Sequence, residues 1–424
     1  MAPTPRRPAG GADPPPAAAP LAAAPAGATP PRRGRARPPH RRTDWSIAGG
    51  GAGRALRPRG GCRRPGAHHG HPATPAAGPP VGRGTQAPTP SHREPPMSTA
   101  NPPSDERLQD ARDALGRIER AVNRTVLGQR QVVREVVVAL AAAGHVLLEG
   151  LPGMGKTLLV RALAHALGGR FARVQFTPDL MPADITGHAI FDLQTETFHI
   201  RRGPIFCNVL LGDEINRAPA KTQAAMLEAM QEQQVTVEGQ SLALTPPFLV
   251  LATQNPIEQE GTYPLPLAQL DRFLLKSYMD YPGADDELSV VRTVTAGAVG
   301  DTLDVSAVEQ VLAPAQVLAL QATAAALTLD DAVLDYALRL VRATRDWPGL
   351  DSGAGTRAAV ALVRAARGHA LLAGEAFVSP DDIKAMAPAV LRHRVRLGAA
   401  LEIEGYRPDD VLAELLAAVA APRA

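Results

Sequence analysis

Two short stretches carry residue types that could handle a phosphorylated ligand. The first, residues 150–157 (GLPGMGKT), fits the pattern G-x-x-x-x-G-K-[ST] between an apolar run and a helical pattern. Its glycines let backbone N–H groups surround phosphate oxygens at a helix N-terminus. Lys156 would place a cation on the β- and γ-phosphates, and Thr157 would offer a hydroxyl to Mg²⁺. The stretch therefore predicts a nucleotide-binding loop, the alternative being an accidental glycine turn.

The predicted nucleotide contacts extend along this loop and into the first turn of the following helix. They are Gly150, Pro152, Gly153, Met154, Gly155, Lys156, Thr157 and Leu158.

The second stretch begins with Asp213 and Glu214, which follow the apolar run 205–211 (IFCNVLL). Carboxylates at the edge of a dry interior are costly unless they are paired or hold a metal. Asp213 could hold a Mg²⁺ ion that bridges the terminal phosphates, and Glu214 could accept a proton from the attacking water. The alternative is a solvated acidic turn. A third polar strand end, Asn255 in ATQNP, could orient the attacking water, although Asn-Pro also begins ordinary turns.

The elements between these stretches predict a parallel α/β sheet. Strands are expected near 145–149, 171–176, 208–211, 248–252 and 274–278, and helices near 105–122, 131–143, 156–167 and 221–233. Strands that alternate with helices form a parallel sheet covered on both faces. Two segments with alternating patterns, 189–201 and 234–244, predict β-hairpins inserted in the loops of this sheet.

The remainder of the chain predicts two further regions. Residues 284–424 carry helical patterns near 285–296, 306–326, 330–345, 356–373, 380–395 and 408–420, with no strand signal. Residues 97–283 form the predicted α/β core. Residues 1–96 are rich in Pro, Gly, Ala and Arg with almost no large aliphatic residues, so this head is expected to be disordered.

The net charge of +3 is divided unevenly between the head and the remainder of the chain. The head holds 15 arginines and three acids, a balance of 15 − 3 = +12, which leaves 30 − 39 = −9 for residues 97–424. A basic arm for nucleic acid is one interpretation of the head. The other, which we favour, is that the head is dispensable or that translation begins at Met97. Two cysteines and the lack of a long apolar run predict a cytoplasmic protein with no membrane span.

Several blocks together resemble the MoxR-type AAA+ ATPases. They are VLGQ (126–129), HVLLEGLPGMGKT (145–157), FTPDLMPADITGH (176–188), RGPIF (202–206), DEINRAPAKTQAAMLEAMQE (213–232), ATQNPIEQEGTYPLPLAQLDRFLLK (252–276) and ATRDWPGLDSGAGTRA (343–358). The resemblance implies an αβα P-loop core with inserted hairpins, followed by a small all-helical lid. It runs from about Asp105 to the C-terminus, and the head has no place in it.

The resemblance also implies roles for particular residues. Lys156 and Thr157 match the Walker A positions, Asp213 and Glu214 match the Walker B pair, and Asn255 matches sensor 1. Gln129 belongs to a motif beside the adenine pocket.

Two arginines also match functional positions of the family. Arg272 matches an arginine finger that reaches a neighbouring subunit, and Arg357 matches sensor 2 on the lid. From the sequence alone, Arg272 could equally be a surface residue paired with Asp271, and Arg357 an ordinary basic residue on a lid helix. The family usually has a proline before the lid arginine where this chain has Thr356, which could partly substitute as a helix cap.

The function implied by the resemblance is ATP hydrolysis with Mg²⁺ in a homo-hexameric ring that remodels or activates other proteins. The clients of this family are often metalloenzymes or complexes with a von Willebrand factor A partner. A nucleic-acid motor that grips DNA with its hairpins is the alternative, although the acidic balance of residues 97–424 disfavours it. A GTP switch would need an Asn-Lys-x-Asp motif, which the sequence lacks, and a non-catalytic scaffold would not need every hydrolytic group.

Overall fold

A computed structural model describes residues 103–256, 262–295 and 305–422. The predicted disordered head, residues 1–96, lies outside the described residues. The strands are β1 (Val146–Gly150), β2 (Phe171–Gln175), β3 (Gly187–Asp192), β4 (Thr197–Arg202), β5 (Val209–Asp213), β6 (Gln234–Val237), β7 (Gln240–Ala243), β8 (Leu249–Gln254), β9 (Leu275–Met279), β10 (Leu350–Ser352) and β11 (Arg396–Leu397). The helices are α1 (Asp105–Thr125), α2 (Arg130–Ala141), α3 (Lys156–Ala166), α4 (Pro182–Thr186), α5 (Ala220–Glu232), α6 (Leu267–Leu270), α7 (Ala284–Thr295), α8 (Pro314–Ala325), α9 (Asp331–Ala343), α10 (Thr356–Ala373), α11 (Pro380–Leu391), α12 (Ala399–Glu404) and α13 (Pro408–Ala418).

A five-stranded parallel sheet in the order β2-β5-β8-β1-β9 forms the centre of the core. Every residue of β5 is buried, and so are the first five residues of β8. Strands covered on both faces need such continuous apolar runs, and these runs made β5 and β8 recognisable in the sequence. All five strands lie where the sequence predicts them.

The strand order brings the predicted site residues to one edge of the sheet. β1 lies between β8 and β9, and β8 separates it from β5. The phosphate-loop candidate follows β1, Asp213 ends β5, and Asn255 follows β8. All of these strands are parallel, so their carboxyl ends meet at one edge, where open α/β sheets bind their ligands.

Both predicted hairpins are present, as β3–β4 and β6–β7. The β3–β4 hairpin carries apolar side chains on its surface, with Leu193 near its turn and the rings of Phe191 and Phe198 centred 5.0 Å apart. Large apolar groups exposed in this way often mark an interaction site.

The C-terminal region is helical, as predicted, with three local differences. The helix expected to start near 306 begins at Pro314, because a proline without an N–H suits the first helical turn. The short strands β10 and β11 form an antiparallel pair, and they have too few residues to show an alternating pattern. Helix α12 was not predicted and ends at Gly405, which adopts φ +86°.

The lid helices pack on the N-terminal helices of the chain. Helix α10 contacts both α1 and α2, and one apolar cluster runs through all three. Arg364 of α10 donates hydrogen bonds to the carbonyl oxygens of Ala142 (2.6 Å) and Ala143 (2.9 Å), just beyond the end of α2. Helix ends leave carbonyl groups unsatisfied, so this arginine both caps α2 and attaches the lid.

Candidate nucleotide-binding and hydrolysis site

The loop between β1 and α3 has the backbone geometry of a phosphate cradle. Gly153 and Gly155 adopt φ +83° and +84°, a left-handed conformation that glycine reaches at little cost. A Cβ atom added at either position would meet nothing within 4 Å, so open space lies beside the loop. Gly150 is different, because a Cβ there would lie 2.6 Å from the Met279 carbonyl oxygen of the adjacent strand. Backbone conformation requires the first two glycines, and close strand packing requires the third.

A cavity of about 540 Å³ opens beside this loop. Its wall includes every predicted contact from Pro152 to Leu158, together with Asp213 and Glu214. The Nζ atom of Lys156 donates a 2.7 Å hydrogen bond to the carbonyl oxygen of Gly150, which places the ammonium group across the loop. The volume falls within the range typical of ligand sites, roughly 300–1,000 Å³. The structure thus gathers the cationic loop and both carboxylates around one cavity.

Asp213 is held by two partners at the end of β5. Its Oδ1 atom accepts a 2.6 Å hydrogen bond from the Thr253 hydroxyl, and its Oδ2 atom lies 2.6 Å from Nη2 of Arg173. Asp213 is only 8% exposed, so these contacts offset the cost of burying its charge. The orientation of this carboxylate is therefore fixed before any ligand binds.

Glu214 turns the chain out of the strand and joins the same network. It adopts φ +57°, and its backbone N–H donates a 2.8 Å hydrogen bond to Thr253 Oγ1. Its Oε2 atom accepts hydrogen bonds from Gln175 Nε2 at 2.9 Å and from Arg217 Nη1 at 3.3 Å. One hydroxyl, that of Thr253, therefore contacts the side chain of Asp213 and the backbone of Glu214.

Sequence reasoning missed Thr253, Arg173 and Gln175 as site residues. Thr253 gives a signal, since it is a hydroxyl within the apolar run LVLAT. Arg173 and Gln175 sit two residues apart and so share a face of β2, and Gln175 is in register with Asp213. Their relevance emerges only from the pairing of β2 with β5, because no local pattern identifies the neighbour of a strand.

Part of the cavity wall is apolar and suits a planar base. Gln129 lines the cavity, and its Nε2 atom donates a 2.7 Å hydrogen bond to the carbonyl oxygen of Asp280. Tyr281 and the α7 residues Val291 and Val294 contribute to the same wall. The cavity wall therefore combines polar groups that suit phosphates with apolar side chains that suit a base, as a nucleotide requires.

Asn255 lies next to this arrangement but does not line the cavity. It directly follows β8 and is buried at the same edge of the sheet as Asp213. Among the described residues, the cavity wall contains neither Asn255 nor the two predicted arginines.

Arg272 and Arg357 lie together in a different place. Both line a second cavity of about 210 Å³ between the core and the lid, with Arg364 and Arg394. Asp271 pairs with Arg394 at 2.6 Å and lies 3.8 Å from Nε of Arg357. The alternative pairing of Arg272 with Asp271 is not seen among the described ion pairs. Instead, Arg272 Nη1 donates a 2.8 Å hydrogen bond to the carbonyl oxygen of Ala268.

Two positions beside the site depart from the pattern of the family that the motifs resemble: Thr356, and Gly212, where a residue with a side chain is more usual. A Cβ at Gly212 would come within 3.2 Å of both Met226 and Phe176, so the glycine permits close packing behind Asp213. The suggestion that Thr356 caps α10 is wrong. The N-cap is Gly355, which has no side chain to form the hydrogen bond, and Thr356 is the first helical residue.

The fold and this site define the chain as a P-loop ATPase of the AAA+ class with a C-terminal lid. Residues 145–275 match the family described as "ATPase family associated with various cellular activities (AAA)", and residues 342–415 match the AAA lid domain. A crystal structure of a proposed ATPase from Cytophaga hutchinsonii superposes with a TM-score of 0.69 at 37% identity, covering 75% of this chain and 98% of that one.

Similar proteins identify the family within this class to which the chain belongs. The chain is 41% identical to Chaperone MoxR1 of Mycobacterium tuberculosis over 359 residues, which cover 82% of this chain and 93% of the relative. It is 44% identical to YeaC, an uncharacterized protein of Bacillus subtilis, over 74% of this chain and 97% of the relative. Protein MoxR of Methylorubrum extorquens is 33% identical over 75% of this chain and 96% of its own length. This chain belongs to the MoxR-type AAA+ ATPases, which confirms the resemblance noted from its motifs.

In the described part of the chain, no helix combines the length and the apolar character needed to cross a membrane.

Proposed function

We propose that this protein binds and hydrolyses Mg²⁺-ATP in a homo-hexameric ring and uses the cycle to remodel or activate other proteins. The observation that carries the proposal is the shared cavity in which Lys156, Thr157, Asp213 and Glu214 meet at one edge of the sheet. The cavity fits a nucleotide with its metal, since the glycine loop leaves open space and the carboxylates supply oxygen ligands.

Each residue has a distinct part in the proposed reaction. The loop amides and Lys156 bind the phosphates, while Thr157 and Asp213 hold the metal. When bound, Mg²⁺ neutralises the charge that develops on the transferred phosphoryl group. Glu214 accepts the proton of the attacking water, and Asn255 orients that water from the adjacent strand end. Gln129 and the apolar part of the cavity wall hold the base.

Arg272 and Arg357 are proposed to act on the nucleotide of a neighbouring subunit. Among the described residues, neither lines the cavity of its own chain, and the two share a second cavity with the lid. Their guanidinium groups would stabilise the negative charge of the transition state, as an arginine finger does in trans. The placement of Arg357 supports a trans role for the sensor 2 residue as well.

A protein client is favoured over nucleic acid. The β3–β4 hairpin exposes Leu193, Phe191 and Phe198, which suit contact with apolar protein surface. A DNA-gripping hairpin would need a positive groove, and residues 97–424 carry a balance of 30 − 39 = −9. We propose a client that includes or works with a von Willebrand factor A domain, in the cytoplasm, where the low cysteine content fits a reducing environment.

Two variants test the proposal. Lys156→Ala is expected to lose ATP binding, because the cation contacts phosphate in the ground state. Glu214→Gln is expected to bind ATP with near-normal affinity but to hydrolyse it at least ~100-fold more slowly, because its carboxylate acts on the attacking water. Calorimetry with ATP and a phosphate-release assay measure the two effects separately.

Glu214→Gln also serves to identify the client. A ring held in its ATP state should retain bound proteins during affinity capture, and Lys156→Ala is the matched control that should not. If Glu214→Gln kept most of its turnover at saturating Mg²⁺-ATP, the assignment of the base would be wrong.

A further inference from the structure

A buried basic triplet attaches the lid to the segment that carries Arg272. Arg392, His393 and Arg394 follow α11 and are all at least 90% buried. Their side chains bind carbonyl oxygens at the start of β9: Arg392 Nη1 contacts Lys276 O at 3.1 Å, and His393 Nε2 contacts Phe273 O at 3.1 Å. Buried guanidinium groups are costly unless they are paired, so these contacts specify how the lid docks.

Arg394 makes the densest set of contacts. Its Nε atom donates to Asp271 Oδ1 at 2.6 Å, and Nη2 donates to Phe273 O at 2.6 Å and to Asp271 O at 3.3 Å. Its Nη1 atom donates to Leu274 O at 3.1 Å and to the carbonyl of Val390 in α11. The planar guanidinium group thus fixes the backbone on both sides of Arg272 relative to the lid.

Arg272 has little support of its own. The described hydrogen bond of its side chain is to Ala268 O, which lies in the same short segment and moves with it. Asp271, the preceding residue, connects this segment to the lid through Arg394 and lies within 3.8 Å of Arg357.

We propose that Asp271 and Arg394 are positioning residues for Arg272. The lid of one subunit then sets the catalytic geometry at the nucleotide of its neighbour, through a buried ion pair one residue from the finger. The inference rests on the proposed role of Arg272 in trans. In this proposal the Asp271–Arg394 pair affects the rate of hydrolysis in the neighbouring subunit and has no effect on nucleotide binding in its own subunit.

Asp271→Asn tests this proposal in the full chain. The amide keeps an oxygen for Arg394 Nε but removes the charge, so the segment loses its strongest attachment to the lid. The expected result is an unchanged dissociation constant for ATP and an unchanged KM, with kcat lowered at least ~10-fold in assembled rings. The matched control is Asp335→Asn, which removes the carboxylate of another lid ion pair, 2.7 Å from Arg339 Nε and exposed on α9. The control should leave kcat unchanged.

Mixed rings separate positioning from a general structural role. Asp271→Asn subunits bind ATP but present a misplaced finger, whereas Lys156→Ala subunits keep the finger and lose the nucleotide. Their mixture should recover activity, with mixed rings verified by native mass spectrometry. A mixture of Asp271→Asn with Arg272→Ala should recover none, because neither subunit offers a working finger.

The remaining outcomes distinguish this inference from the function on which it rests. If Arg272→Ala and Lys156→Ala fail to complement each other in verified mixed rings, the trans role of Arg272 is wrong. If that pair recovers and the Asp271→Asn pair does not, only the positioning role is overturned. Should Asp271→Asn fail to assemble, Asp271→Glu keeps the charge and shifts it by one methylene group, and it should show the same loss in kcat. Normal kcat in either variant, or failure of both to assemble, would overturn the proposal.

Discussion

Replacement of Thr253 by valine should damage the site more than its size suggests. The Thr253 hydroxyl donates to Asp213 Oδ1 at 2.6 Å and accepts the Glu214 N–H at 2.8 Å, and the residue is fully buried. Valine has nearly the same shape but no hydroxyl. The variant loses a hydrogen bond to a charged group, worth about 1.5–3 kcal/mol, and removes the partner of the partly buried Glu214 N–H, at a cost of about 1 kcal/mol, the lower end of the range for a buried group. Because Arg173 still pairs with Asp213, we expect a destabilisation near the lower end of the sum, about 3 kcal/mol.

Thr253→Ser is the matched control. Serine keeps the hydroxyl and removes one buried methyl group, which costs on the order of 1 kcal/mol. Packing alone predicts that valine is the milder change, whereas the hydrogen bonds predict the opposite order. Urea unfolding midpoints of the two full-length variants decide between these orders. In the phosphate-release assay, Thr253→Val should lose at least ~10-fold in kcat, because Asp213 and Glu214 both lose the hydroxyl that holds them in place. The kcat of Thr253→Ser should stay close to that of the parent. A valine variant as stable and as active as the serine variant would refute the reasoning.

Two further predictions concern pH and the head. Burial lowers the pKa of His145 to about 4, against a partial rise from its contact with the Met230 carbonyl, and burial lowers the pKa of His393 in the same direction. Below pH ~6.5 the unfolded state binds protons at these histidines that the folded state does not, so the free energy of unfolding is highest above that pH and falls as the pH drops, by up to ~1.4 kcal/mol per pH unit for each histidine. For His145 this fall continues to about pH 4. Urea midpoints from pH 7.5 to 5 should show this fall, with a smaller slope in His145→Gln; equal slopes would contradict the assignment. For the head, a chain that begins at Met97 should keep its ATPase activity, and mass spectrometry of the protein from its native host should find no peptides from residues 44–54. Loss of activity in the shorter chain would show that the head matters.

The sequence predicted the parts of the site that follow a single strand. The loop after β1 and the carboxylates after β5 are local patterns, in which an apolar run ends on residues of a particular type. All parallel strands direct their carboxyl ends to one edge, so the local patterns also implied that Lys156 and Asp213 would meet. The fold class, the five central strands and both hairpins could be predicted for the same reason.

The residues that the sequence could not identify depend on which strands and helices are neighbours. Arg173 and Gln175 are ordinary exposed positions of β2 until that strand pairs with β5 and places them against Asp213 and Glu214. The short strands β10 and β11 could not be predicted for the same reason. Each is too short to be stable or recognisable alone, and only the folded lid brings them together.

The position of Arg357 supports the proposal that this residue serves the nucleotide of a neighbouring subunit. Helix α10 is fixed by its packing on α1 and α2 and by the contacts of Arg364 with the end of α2. This docking places Arg357, at the start of α10, beside Asp271 and in the same cavity as Arg272. Arg272 and Arg357 line one cavity, and that cavity is separate from the one beside the glycine loop. If both act as proposed, each catalytic site lies at an interface between two chains. One chain supplies the nucleotide-binding loop and the carboxylates, and its neighbour supplies the two arginines. The motifs of a single chain therefore belong to two different catalytic sites.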